Sequence, residues 1–200
     1  MRIAPSNLCL LKVKFSFSLG IQNNDNNMSE PLTGYNAWAQ IPAADQTDFL
    51  KIVLNIKQQQ NRKNVSIDVF RKQIQTLIDF IDRDMASRSN KCMVLGISFL
   101  GPYMCTNTKI LGAVIGRSKA SINNSLKDLG YNAIKNENVR VTVLQLTLPH
   151  VVGPQMKQWS IRASMNPNGV FKTSFEHRFM PPLKSSYFSA AKANEKDFKT

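Results

Sequence analysis

Apolar residues recur three and four positions apart in several stretches, and each such stretch predicts a helix with one buried face. The first opens at Asp45 or Thr47 and carries Phe49, Leu50, Val53 and Ile56 through about Gln59. After a polar break at Asn61–Asn64, Ser66 is placed to cap a longer helix reaching about Ser87, with Phe70, Ile74, Leu77, Ile78 and Ile81 inward. These two read as scaffold without chemistry. Two short helices with a tight turn follow between Asn107 and Tyr131. Ile110, Leu111, Val114 and Ile115 stripe the first, and Gly116 ends it. Ser118 caps the second, whose inward side is Ile122, Leu126 and Leu129, with Gly130 where a left-handed residue is wanted.

Elsewhere the period changes. Met93–Tyr103 is apolar and broken by glycine, and is expected to wrap the core. Val139, Val141 and Val143 alternate with Arg140 and Thr142, which predicts a strand. Leu144, Leu146 and Leu148 continue in shifted phase, so a short helix stays open there. Pro149, Gly153 and Pro154 mark a loop. Lys157–Arg162 then reads as a strand with Trp159 and Ile161 on one face, Ser160 and Arg162 on the other; Trp159 is expected as a core anchor. A helix pair followed by extended segments across a Gly/Pro loop outlines a mainly α fold with a small β wing, a winged helix-turn-helix. The expected division is an irregular segment 1–43, a winged-helix domain 44–163, and a basic flexible tail 164–200. Phe171, Phe175, Phe179 and Phe188 in that tail have no evident docking site.

Charge narrows the choice of partner. The 200 residues carry 26 Lys and Arg against 13 Asp and Glu, a formal charge of +13. A field of that size implies a polyanion: DNA, RNA or an anionic surface. It is concentrated, too. From Met85 to Phe175 the only acids are Asp128 and Glu137, while the cations run from Arg88 and Lys91 through Lys109 to Lys172. Cys9, Cys92 and Cys105 are odd in number and lack metal-ligand spacing, which suits reduced thiols and no zinc site. No run is long and apolar enough for a membrane span. Met1–Gly20 faintly resembles a signal peptide, but Lys12 and Lys14 interrupt its apolar part. Met28 is a candidate natural start.

The outward side of the second short helix unites pattern and charge. It carries Lys119, Ala120, Asn123, Asn124 and Lys127, with Asp128 alone opposing them. A basic, Asn-bearing second helix after a glycine turn is what a DNA recognition helix needs. Asn offers an acceptor and a donor to adenine, Lys donates to guanine, and Ala120 fits beside a thymine methyl. Arg117 in the turn is expected on a phosphate, and Ser118 chiefly as a cap whose neighbouring amides face the backbone. Lys109 and Lys127 read equally as solvated charge and as phosphate contacts.

The run Leu-Gly-Ala-Val-Ile-Gly-Arg-Ser-Lys-Ala-Ser-Ile-Asn-Asn-Ser-Leu-Lys-Asp-Leu-Gly-Tyr, followed by Lys-Gln-Trp-Ser-Ile-Arg, resembles the initiator-binding domain family. These are winged-helix domains of trichomonad transcription factors that recognise the initiator element at the transcription start site. The resemblance covers roughly Asp45–Arg162. It implies major-groove insertion of the second helix through Arg117, Ser118, Lys119, Asn123, Asn124 and Lys127, with Lys157 and Arg162 of the late strand on the backbone or minor groove. It implies a nuclear double-stranded DNA-binding transcription factor. The best-known members carry a further C-terminal domain that engages RNA polymerase, where this chain shows a short polar tail. DNA binding is thus implied more strongly than promoter activation, with transcription machinery a candidate partner.

An enzyme is the poorer reading. His150 and His177 stand without a nucleophile or carboxylate at defensible spacing, and there is no phosphate-cradling glycine loop. Asp79, Asp82 and Asp84 beside Arg83 and Arg88 read as a surface charge network. No cofactor, metal or small-molecule substrate is expected. The alternatives are a basic RNA-binding protein, though the basic segment offers few aromatics for stacking, and a winged helix that binds an acidic protein.

Overall fold

The computed structural model describes residues 34–60, 66–167, 170–173, 175 and 179–189. The polar break at Asn61–Asn64, the leader reading, Met28 and Cys9 lie outside the described residues.

Capping and amphipathic spacing set the helices. After α1 (Gly34–Ala39), α2 spans Ala43–Gln60 and buries Phe49, Leu50, Val53 and Ile56. The Ser66 hydroxyl accepts from the Val69 amide at 3.4 Å and starts α3 (Ile67–Ile81). That helix stops short of the expected Ser87. Asp84 captures the next turn instead: its carboxylate accepts from the Ala86 and Ser87 amides and the Ser87 hydroxyl, and α4 (Arg88–Leu95) follows. Met93–Tyr103 therefore ends a helix and enters a hairpin, β1 (Ile97–Leu100) with β2 (Tyr103–Thr106), every residue of both strands buried.

Asn107 caps α5 (Thr108–Ile115), which ends at left-handed Gly116 with φ 72°, and Ser118 caps α6 (Lys119–Asp128). The predicted helix pair and its turn stand as drawn. β3 (Tyr131–Ala133) follows directly.

The predicted strand Val139–Val143 is instead α7 (Glu137–Thr147). The Asn136 side chain accepts from the Val139 amide at 3.1 Å, and Val139, Val143, Leu144 and Thr147 form one buried face against the sheet. A 3₁₀ segment, Gly153–Gln158, precedes β4 (Ser160–Ser164), so the late strand begins after Lys157. Its expected two faces are present: Trp159 and Ile161 are each 2 % exposed, Ser160 is exposed and Arg162 half-buried.

The sheet is antiparallel in the order β1-β2-β4-β3, with Thr106 opposite Ser160 and Tyr131 opposite Ser164. The overall picture is mostly helical with this small sheet. β3 and β4 do not form a simple hairpin, because residues 134–159 between them contain α7 and the 3₁₀ segment.

Within the stretch expected as a basic flexible tail, several of the described residues past Ser164 pack on the domain. Phe171 is 4 % exposed, stacks on Tyr131 at 5.6 Å and meets Phe99 edge-on at 5.7 Å. Its amide donates to the Tyr131 hydroxyl at 3.1 Å. Gln75 both donates to and accepts from the Lys172 backbone, and Thr173 donates to Asp82. Tyr103 donates to the Pro181 carbonyl, and the Tyr187 carbonyl accepts from the amides of Lys135 and Asn136. Phe175 and Phe188 pack partly buried on the core, whereas Phe179 is 67 % exposed.

Candidate nucleic-acid interface

Helix α6 is a rod on an aliphatic bed. Ile122 and Leu126 are fully buried and Leu129 nearly so, and the helix rests on α5, β3 and α3. Ser118 accepts from the Ser121 amide at 3.2 Å, which satisfies one of the free amides at the helix start. The close approach of α5 to the turn requires Gly112, where a β-carbon would lie 2.7 Å from the Arg117 carbonyl oxygen.

Five predicted residues share the exposed side of this unit: Ser118, Lys119, Ala120, Asn124 and Lys127. Asn123 is half-buried at its edge. Ten residues of helix give a rod about 15 Å long, which matches a major groove about 12 Å wide.

The two predicted arginines both have partners within the protein. Arg117 turns inward: it donates to the Ser125 hydroxyl at 3.0 Å and its guanidinium lies 5.0 Å from the centre of the Phe70 ring. It ties α3, the turn and α6 together. Arg162 on β4 donates to the Tyr131 carbonyl at 3.2 Å and to Asn123 Oδ1 at 3.0 Å. Burial pulls the pKa of both guanidiniums below the ordinary arginine value. Both are half-buried structural cations rather than free arms. Sequence reasoning missed their acceptors. Ser125 lies two helical turns beyond Arg117 and was legible in principle, whereas the Tyr131 carbonyl is a backbone group that pairing with β4 brings close.

Lys157 is exposed, but on the 3₁₀ segment rather than a strand. It borders a cleft of about 390 Å³ floored by Leu144, Trp159 and Ile161, where Arg140 pairs with Glu137. Arg88 and Lys91, counted above in the positive field, are interior. Lys91 is fully buried 2.7 Å from the Asp45 carboxylate. Arg88 lies 3.7 Å from Asp82, donates to the Phe99 carbonyl and covers the Phe175 ring at 3.9 Å. The Asp82–Arg88 pair is therefore buried rather than a surface network. Within the basic stretch 85–175, the exposed cations among the described residues are Lys109, Lys119, Lys127, Lys135, Lys157 and Lys172.

Among the described residues no group of His, Cys, Asp or Glu is arranged to hold a metal, and no helix is long and apolar enough to cross a membrane. Comparison with curated proteins and with solved structures yields no match. The family described as transcription-initiator DNA-binding domain matches residues 43–166, from the start of α2 to just past β4. That family is one of DNA-binding domains, not of enzymes. With more than half of its length matched, and with a basic helix standing proud of a packed scaffold, the chain belongs to the transcription-initiator DNA-binding domain family.

Proposed function

We propose that the chain is a sequence-specific double-stranded DNA-binding protein, a transcription factor that reads an initiator-like core promoter element by seating α6 in the major groove. The observation that carries this is the exposed face of α6: two lysines, a small alanine and an asparagine presented together on a rod whose opposite face is buried. Lysines near phosphates supply affinity by releasing condensed counterions, and the asparagine supplies sequence choice. The unit is read as a winged helix-turn-helix whose wing is the α7-bearing connection between β3 and β4. Lys135 and Lys157 at its two ends would reach the backbone. Such a protein acts in the nucleus, with the transcription machinery as its further partner.

The test is selection of a site from random duplexes, then anisotropy titrations with selected and scrambled DNA. Asn124→Ala should weaken the selected duplex about tenfold and leave the scrambled one nearly unchanged. Lys119→Ala should weaken both and lower the salt slope by about one. Equal loss on both duplexes with Asn124→Ala, or equal competition by single strands or RNA, would overturn the proposal.

A further inference from the structure

The contact between Asn123 and Arg162 fixes more than packing. An asparagine amide fits its site almost equally well in two orientations, and the choice decides which group it turns outward. Arginine has donors only, so the 3.0 Å contact from Arg162 Nη2 selects the amide oxygen. The arginine is itself held: Nη1 donates to the Tyr131 carbonyl, and Nε is buried without a hydrogen-bond partner among the described residues. A desolvated guanidinium makes charge-assisted bonds stronger than a neutral pair would. Asn123 Nδ2 makes no such bond among the described residues and is not sealed inside. It is the part of the amide left to a ligand.

Resting on the reading of α6 as the DNA-contacting helix, the geometry points to Arg162 as a positioning residue that sets base choice. It locks the Asn123 amide oxygen inward, so Asn123 offers N–H donors to a base edge rich in acceptors, guanine O6/N7 or thymine O4. A free asparagine reads adenine by giving one hydrogen bond and taking another. The clamped one is poorly suited to that. Oδ1 keeps a second lone pair, but the adjacent guanidinium repels the amino hydrogen that adenine would bring. Arg162 is thereby a discriminator held within the protein and not a phosphate contact.

The experiment is site selection from random duplexes with the full chain, comparing wild type with Arg162→Met, Arg162→Lys and Asn123→Asp, each checked by circular dichroism for folding. The wild type should prefer guanine or thymine at one base pair. Arg162→Met frees the amide to turn, so that preference over adenine should fall at least about fivefold at that pair alone, with the salt slope unchanged. Arg162→Lys should keep part of the preference. Asn123→Asp cannot donate and should lose it at the same pair, which tests the amide as the donor. If Arg162→Met does not fold, Arg162→Lys decides the clamp, and a preference it leaves unaltered overturns it. Uniform weakening of every duplex by Arg162→Met with a slope lower by about one makes Arg162 a phosphate contact and overturns the clamp. Adenine preferred by the wild type at that pair, or a selected site that the variants leave unaltered, also overturns it. A wild type that selects no site overturns the proposed function itself, a result visible before any variant is compared.

Discussion

Phe171→Ala tests whether the segment after β4 belongs to the fold. The ring is 4 % exposed and sits between Tyr131, Phe99 and the Arg71 guanidinium, 5.5 Å from its centre. A buried phenylalanine withdraws about 200 Å² from water, which at about 25 cal/mol/Å² gives an upper bound of about 5 kcal/mol. The alanine keeps some of that, and a segment beyond the last strand relaxes more easily than a central strand. The expected cost is therefore about 3 kcal/mol, the lower edge of the range for such truncations. With a urea slope of about 1–3 kcal/mol/M, the unfolding midpoint should drop by about 1–3 M at unchanged slope. Phe171→Leu should cost about 1 kcal/mol. Phe179→Ala, at a site 67 % exposed, should cost less than about 1 kcal/mol. A chain ending at Asn166 should lose at least as much as Phe171→Ala. The assay is urea unfolding followed by both far-UV dichroism and tryptophan fluorescence. Midpoints for Phe171→Ala and wild type that coincide would refute the reasoning, because the aromatic contacts would then contribute nothing.

Two further outcomes follow from the packing. Gly112→Ala gains about 1 kcal/mol of helix propensity but drives a β-carbon to 2.7 Å from the Arg117 carbonyl, which should cost about 1–3 kcal/mol and displace α6. Urea unfolding and duplex titration should both show the loss; a variant as stable as wild type would mean the turn yields freely. Tyr103 and Tyr131 are each pushed up to about 12 by burial. Their unfolded counterparts ionise near pH 10, so between pH 10 and 12 the folded state holds more protons. Stability should be unaffected by these groups below pH 10 and fall as pH rises toward 12. Tyr131→Phe should flatten that decline, and a wild-type stability that is level across the window would contradict it.

Local signals carried much of the helical framework. Ser66 and Ser118 announce their helices because a hydroxyl before an amphipathic run readily serves as a cap, and Gly116 marks the turn for equally local reasons. Helix α7 misled because Val139-Arg-Val-Thr-Val143 satisfies a period of two as well as a period of 3.6. The Asn136 cap and the sheet beneath decided it. Strands β1 and β2 showed no alternation because both of their faces are buried, which removes the usual strand signature. Phe171, Arg88 and Lys91 were beyond local reading. Tyr131 and Asp45 are distant in the chain from Phe171 and Lys91. Although Asp82 is near Arg88 in sequence, the distant Phe99 carbonyl and Phe175 ring are what make that cation interior. Within the candidate site, the exposure of Lys119, Ala120, Asn124 and Lys127 followed from helical phase. The inward turn of Arg117 and Arg162 did not, since long side chains choose partners across elements.

Strand β4 lies between β2 and β3 although it is the last of the four in sequence. The sheet on which α6 leans therefore cannot close until a stretch as distant as Ser160 has come back to pair with Thr106. Such late, non-local closure slows assembly. During synthesis the α5–α6 pair should emerge with its helices able to form but with no finished floor. Competence to bind DNA would then arrive in one step, as the returning strand slots home.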